Sequence, residues 1–383
     1  MTSAPVGAPL STRQLTIQPG SATFFGAGEV ARLPACLEML GKRRAFVVTD
    51  PGLVASGVAG AVTAVLAGAG VDHAVYDGLR PNPDTDALAA GGLALRAFGD
   101  AAVIGLGGGT ALDGAKGISL AAVNDVPPRE LDYRLPAARP GLPVIAVPTT
   151  AGTGAETNGF GVFEDPEAHR KFYAGHESVV PKAAILDPQL TLGLPPGPTA
   201  ATGMDALTHA LESLASRRAN PYAHALGLEV VRVVSRWLPA AVADGGDLEA
   251  RSQLLLAAHM AGLAFGTTGL GLCHAVGHAL SARLGVPHGV ALAVALPHVL
   301  AFNAPAVPET DAEVAVAMGA ASAGAAAAAL AIELGLPQRL SELGCTPELI
   351  PVLVKDALID DVILNTPRTP SSEELTALLG SAL

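Results

Sequence analysis

At 383 residues the chain exceeds what one ordinary hydrophobic core serves, and half of its residues are apolar, so two packed domains are expected and intrinsic disorder is excluded. A net charge of −12 argues against a broad basic face for nucleic acid. Three cysteines without paired spacing, Cys36, Cys273 and Cys345, exclude a disulfide scaffold and point to a reducing compartment. No basic and then apolar leader opens the sequence, so the expected location is the cytoplasm.

Taken in order, residues 14–25 read as extended or as a hairpin, and residues 26–40 as a short helix. Residues 45–49 form an apolar run that ends in Asp50, Pro51 and Gly52, the pattern of a buried strand with an acid at its carboxyl end. A helix over 54–69, a strand over 73–76, a loop with Asn82 between two prolines, a helix over 85–98 and a strand over 101–106 follow. Strand and helix alternate at βαβ spacing, which predicts a parallel sheet.

The strand over 101–106 runs straight into GLGGGTALDGAK and a helix over 111–122. Gly107, Gly108 and Gly109 allow close approach of the backbone to a ligand, and the helix N-terminus favours an anion such as a pyrophosphate. A tight turn without a ligand has the same signature. Residues 143–147 form the next strand, followed by PTTAGTGAETN, where Thr149, Thr150 and Thr153 place hydroxyls around two glycines. Crevices at such strand ends are where open α/β sheets bind ligands. Residues 160–163 and 170–173 suit a hairpin, with Lys171 as a charge partner for a phosphate or ribose or as a solvated lysine, and residues 183–186 form the last strand.

From Thr199 the periodicity is helical nearly to the end, so the boundary is placed near Gly193: an α/β domain over 1–193 and an all-helical domain over 194–383. Asp205 and His209 stand four residues apart on a segment with an apolar stripe (Met204, Leu207, Leu211, Leu214). In GLGLCHAVGHALSARLGVPHG, His274 and His278 repeat that spacing and His288 returns three turns later, so one helix face could present several imidazoles. A carboxylate with two or three imidazoles suits iron(II) or zinc better than calcium or magnesium. Histidines satisfied by backbone carbonyls remain the alternative at this point. The alanine-rich run over 314–332 reads as one helix of a water-soluble core, and no membrane span is expected.

Seven stretches in this order, VVTDPG, GLGGGTALDGAK, VPTTAGTGAE, GMDALTHALE, GLCHAVGHAL, PHGVALAVALPHVLAFN and DALIDDVILNTPR, resemble the iron-containing (group III) alcohol dehydrogenase family. The resemblance implies an α/β N-terminal dinucleotide-binding domain with a Rossmann-like parallel sheet, followed by an all-α C-terminal domain, in the architecture shared with dehydroquinate synthase. It implies metal ligands at Asp205, His209, His274 and His288, a catalytic nonligand histidine at His278, and cofactor contacts at Gly107 to Thr110, Asp113, Thr149, Thr150 and Thr153. Asp50 matches the acid at the adenosine ribose, and Asn82 and Lys171 match cofactor-side positions. The implied activity is metal-dependent, NAD(P)-linked interconversion of a small alcohol and its aldehyde, by a homodimer, with iron(II) ahead of zinc. NAD is expected over NADP because an acid at position 50 repels a 2′-phosphate. A maleylacetate reductase-like enzyme and an NAD-assisted lyase or cyclase of the dehydroquinate synthase type are the alternatives. The presence of Asp205 and the scarcity of basic residues near the motifs speak against them. The sequence departs from the family at Ala155, Asn158 and Thr366, where serine, threonine and no intervening residue are usual.

Overall fold

The computed structural model describes residues 21–81, 83–133, 139–166 and 170–383, which divide into two compact units at Gly193 and Leu194. In the first unit the strands β1 (Ala22–Phe25), β2 (Arg44–Val48), β3 (Asp72–Tyr76), β4 (Ala102–Gly107), β5 (Val144–Pro148) and β8 (Ala183–Leu186) form one sheet in the order β1-β8-β5-β4-β2-β3, all parallel. Between β5 and β8 lies the antiparallel hairpin β6 (Phe160–Asp165) and β7 (Arg170–Gly175). The helices are α1 (Leu33–Met39), α2 (Pro51–Ala55), α3 (Val58–Gly68), α4 (Thr85–Phe98) and α5 (Gly109–Val123).

Alternation along β2 shows why the sheet is covered twice. Phe46 and Val48 enter a core with Leu88 and Leu95 of α4 and Ile118 of α5, while Ala45 and Val47 enter another with Leu37 of α1 and Val62 and Leu66 of α3. The expected single helix over 54–69 is instead α2 and α3, separated at Gly57. The order of strands reverses between β2 and β4: the chain steps from β2 outward to β3 and returns to the other side of β2. Ligands of doubly wound sheets bind at that reversal, beyond the carboxyl ends of the strands.

The second unit is helical: α6 (Pro196–Ala215), α7 (Pro221–Ala243), α8 (Leu248–Thr268), α9 (Leu272–Leu284), α10 (His288–Asn303), α11 (Pro308–Ala317), α12 (Ala323–Glu333), α13 (Ile350–Leu358) and α14 (Ser372–Ser381). α6 is its axis, packing against α7, α8 and α10 and almost wholly buried. The alanine-rich run expected as one helix is two, α11 and α12. Gly319 turns the chain in the left-handed region at φ 70, and Ser322 restarts it as an N-cap that accepts from the Ala325 amide. Residues His288–Ala306 are long and apolar enough to cross a membrane by length and composition, yet half of that stretch is buried and α10 packs on α6, α9 and α12.

Candidate functional site

The two glycine- and threonine-rich loops leave adjacent strands. β4 and β5 pair through Gly107 and Pro148, and the Thr149 amide donates to the Gly107 carbonyl at 3.0 Å. Gly107 has φ 147, open to glycine, and a Cβ there would stand 2.7 Å from Ala111 and 3.5 Å from Asp50 Oδ2. Cβ atoms on Gly108 and Gly109 would meet Thr150 at 3.2 Å and Thr153 at 2.8 Å, so the loops interlock only because side chains are missing. No side chain caps α5 at Gly108, which leaves its first amides to an anion. Thr110 is in that first turn. Asp50 caps α2 with Oδ1, which accepts from the Gly52 and Leu53 amides at 2.9 and 3.1 Å.

Asp113, expected at the cofactor, has its carboxylate engaged elsewhere. Oδ1 accepts from Lys116 Nζ at 3.2 Å and Oδ2 from the Val162 amide at 3.1 Å, which ties α5 to the hairpin. Lys116 is fully buried and also donates to Asn158 Oδ1 at 3.0 Å and the Phe160 carbonyl at 2.7 Å. Asn158, a departure from the family pattern, is thus an anchor for this ammonium. Burial pushes the Asp113 carboxyl up and the Lys116 ammonium down, each only partly countered by the other's charge. Lys116→Met should therefore lower stability by about 1–3 kcal/mol, the cost of leaving the half-buried Asp113 carboxylate and the Asn158 and Phe160 acceptors without their donor, read as a fall in the urea midpoint. An unchanged midpoint would discard the tether. Asn82 lies outside the described residues. Lys171 sits on β7 opposite Glu164, and its side chain also lies outside them.

In the second unit, α6 supplies Asp205 and His209 one turn apart, α9 supplies His274, and His288 opens α10 behind Pro287. Helix α9 ends at Leu284, between His278 and His288, so His288 reaches the site from a new helix and not from the face that its spacing suggested. Asp205 Oδ1 lies 3.3 Å from His209 Nε2, 3.5 Å from His274 Nε2 and 3.8 Å from His288 Nε2. Donors that share a divalent ion at about 2.1 Å sit about 3–3.5 Å apart, so the first two spacings suit ligands of one ion, and Asp205, His209 and His274 offer atoms all within 4.8 Å of one another; His288, at 3.8 Å from Asp205 Oδ1, stands at the edge of that group. Asp205 Oδ1 and His274 Nε2 are buried without a hydrogen-bond partner. Each such atom costs about 1–3 kcal/mol, a penalty that a cation removes. The residues present fit a divalent metal.

The charges agree with that reading. Burial raises the Asp205 carboxyl, but the imidazoles of His209, His274 and His288 overcome it and hold it below the usual carboxylate range. Burial pulls His274 down, yet Glu212 and Asp205 push it up to about 9, so a metal must displace a proton from this ring at neutral pH. His288 is held well below its ordinary value by burial and by the neighbouring imidazoles, against the pull of Asp205, and presents a neutral lone pair. The His288 side chain is 35% exposed, against 5% for Asp205, so the cluster opens on that side.

His278 stands beside the cluster, stacked on His288 with ring centroids 5.3 Å apart, and its Nδ1 lies 2.7 Å from Asp360 Oδ2. Sequence reasoning missed three residues here: Lys116, Asp360 and Glu212. Lys116 and Glu212 carried a helical signal, at i+3 from Asp113 and i+3 from His209. Asp360 carried none, because nothing in its segment says which imidazole it meets.

Residues 20–188 match the family model described as iron-containing alcohol dehydrogenase, and residues 199–383 that of the Fe-containing alcohol dehydrogenase family, C-terminal. The chain is 33% identical over 373 residues to the NAD-dependent methanol dehydrogenase of Bacillus methanolicus, covering 94% of this chain and 98% of that one. Among solved structures it is similar to a 1,3-propanediol oxidoreductase, with a TM-score of 0.93 at 34% identity over 97% of this chain and 100% of that one. It is also similar to a sulfoacetaldehyde reductase from Bifidobacterium kashiwanohense in complex with NAD+, with a TM-score of 0.89 at 28% identity over 96% and 98%.

Proposed function

The chain belongs to the iron-containing alcohol dehydrogenase family and is an oxidoreductase of alcohols and aldehydes; from that premise we propose that it uses NAD, and that Asp205, His209, His274 and His288 hold one iron(II) ion. The observation that carries the ligand set is the convergence of three imidazole nitrogens on one orphaned carboxylate oxygen. When bound, the ion supplies Lewis acidity at the substrate oxygen and the nicotinamide accepts or returns hydride.

The chain's own residues orient and move protons. Glu212 holds the His274 ring by Nδ1, which leaves Nε2 to the ion. His278, held by Asp360 at Nδ1, keeps Nε2 to take the proton that the alcohol hydroxyl gives up, and its side chain, 16% exposed, can pass that proton on to solvent. Gly107 to Thr110 and the hydroxyls of Thr149, Thr150 and Thr153 would hold the pyrophosphate at the start of α5.

NAD is favoured over NADP by Asp50, whose Oδ2 is left beside Gly107 to accept from a ribose hydroxyl and to repel a phosphate. NAD is also in the name of the methanol dehydrogenase and in the complex of the sulfoacetaldehyde reductase. A homodimer is supported by β1, which among the described residues has a neighbour on one side only and exposes Phe25. A cytoplasmic location is supported by three free, buried cysteines.

The experiment is the initial rate of NADH and NADPH oxidation with short aldehydes, on protein stripped by chelator and reloaded anaerobically with iron(II) or zinc. Activity is expected only after reloading, best with iron(II), and about 10-fold faster with NADH, the worth of about 1.4 kcal/mol of charge repulsion. Full activity in the stripped protein would sink the metal assignment.

A further inference from the structure

Glu212 is a carboxylate inside the helical unit, 6% exposed, three residues past His209 and seven past Asp205, so the three project from one side of α6. A carboxylate so placed is tolerated only with several donors. It has four. Oε2 accepts from the Gly271 amide at 2.8 Å and faces His274 Nδ1 at 2.6 Å, and Oε1 accepts from the Cys273 amide at 2.5 Å and the His274 amide at 3.4 Å. Three of these donors are the amides that open α9, whose N-cap, Gly271, brings no side chain of its own. Glu212 therefore caps α9 from a different helix. The fourth is the His274 ring. A carboxylate oxygen only accepts, so the hydrogen of the neutral ring stays on Nδ1 and the lone pair on Nε2, 3.5 Å from Asp205 Oδ1.

We propose that Glu212 is a positioning residue for the metal centre: it decides which nitrogen of His274 is offered to the ion and fixes the first turn of α9 against α6. This rests on the ligand set proposed above. Glutamine has the same shape but carries an NH2 on one side. Turned one way, that NH2 faces the ring and drives its hydrogen onto Nε2. Turned the other way, it faces the Cys273 and His274 amides, donor against donor.

The test titrates chelator-stripped protein with cobalt(II) against a competing chromophoric chelator and records the visible cobalt spectrum at saturation. Wild type is expected to bind one ion per chain, and Glu212→Gln to bind it about 10–100-fold more weakly with an altered spectrum. Asn220→Ala is the control. It removes the α7 cap that accepts from the Ala223 amide, and so lowers the unfolding temperature while leaving cobalt affinity unchanged. Wild-type affinity and spectrum in Glu212→Gln would overturn the proposal and leave Glu212 a cap only. No cobalt binding by wild type would overturn the ligand set itself, and the role of Glu212 with it. Should Glu212→Gln not fold, Glu212→Asp keeps the charge and withdraws the oxygens by one methylene, and the same loss of affinity is expected.

Discussion

The Asp205→Ala variant is expected to fold, to lose its ion, and to reduce aldehydes roughly a thousand-fold more slowly or worse, because several kcal/mol of charge stabilisation leave with the ion at about 1.4 kcal/mol per decade. Asp205 Oδ1 is the atom on which the Nε2 atoms of His209, His274 and His288 converge, at 3.3, 3.5 and 3.8 Å. Without it three crowded imidazoles remain, His209 and His274 stacked at 4.7 Å, with no anionic donor among them to offset a dication. Folding should survive, since the oxygen removed is itself buried without a hydrogen-bond partner. His278→Ala makes the contrast: it should keep its ion and slow turnover by roughly 100-fold or more, the worth of one general acid or base. Metal content by atomic absorption and initial rates on the same samples read both. Full occupancy in Asp205→Ala, or an empty site in His278→Ala, would exchange the two roles.

Gly289→Ala is the second variant with a large expected effect, and here the cause is steric. Gly289 follows His288 at the start of α10, where that helix crosses α6. A Cβ on it would stand 2.0 Å from the Ala201 carbonyl oxygen and 2.6 Å from its carbon. Backbone cannot step aside as a side chain can, so the helices must part by roughly 1–2 Å to restore ordinary contact. Overpacking of this kind costs about 1–3 kcal/mol or more, and His288 travels with α10. A misplacement of about 1 Å at a reacting site can cost about 100-fold. The urea midpoint and the cobalt affinity are therefore both expected to fall. Gly380 in α14, with nothing within 4 Å of its Cβ position, should accept alanine without loss. Gly289→Ala with wild-type stability and affinity would show that the crossing has slack.

Much of this was legible in the sequence wherever the signal was local. The helix over 85–98 is there because Asp84 caps it and Gly99 ends it, both within reach of the segment. β4 and β5 were legible as apolar runs that stop at glycine or threonine. What escaped depended on contacts across the chain. The partners of Asp113 are of this kind: its carboxylate accepts from Lys116 and from the Val162 amide of the hairpin, and nothing near residue 113 announces Val162. His288 was legible as a donor but not as the first residue of a separate helix, because Pro287 both ends one reading and begins another. Glu212 carries no local sign of its partner, the first turn of α9. Only the approach of α9 gives it a task.

The donors of the proposed metal site come from α6, α9 and α10, segments that lie up to about eighty residues apart in the chain. An ion shared among them acts as a staple in the native state alone, and each rise in its free concentration deepens the well by RT ln(1 + [ion]/Kd). Segments that open when the staple is absent are those that proteases reach first. Loss of the ion would then shorten the life of the folded chain as well as slow its reaction.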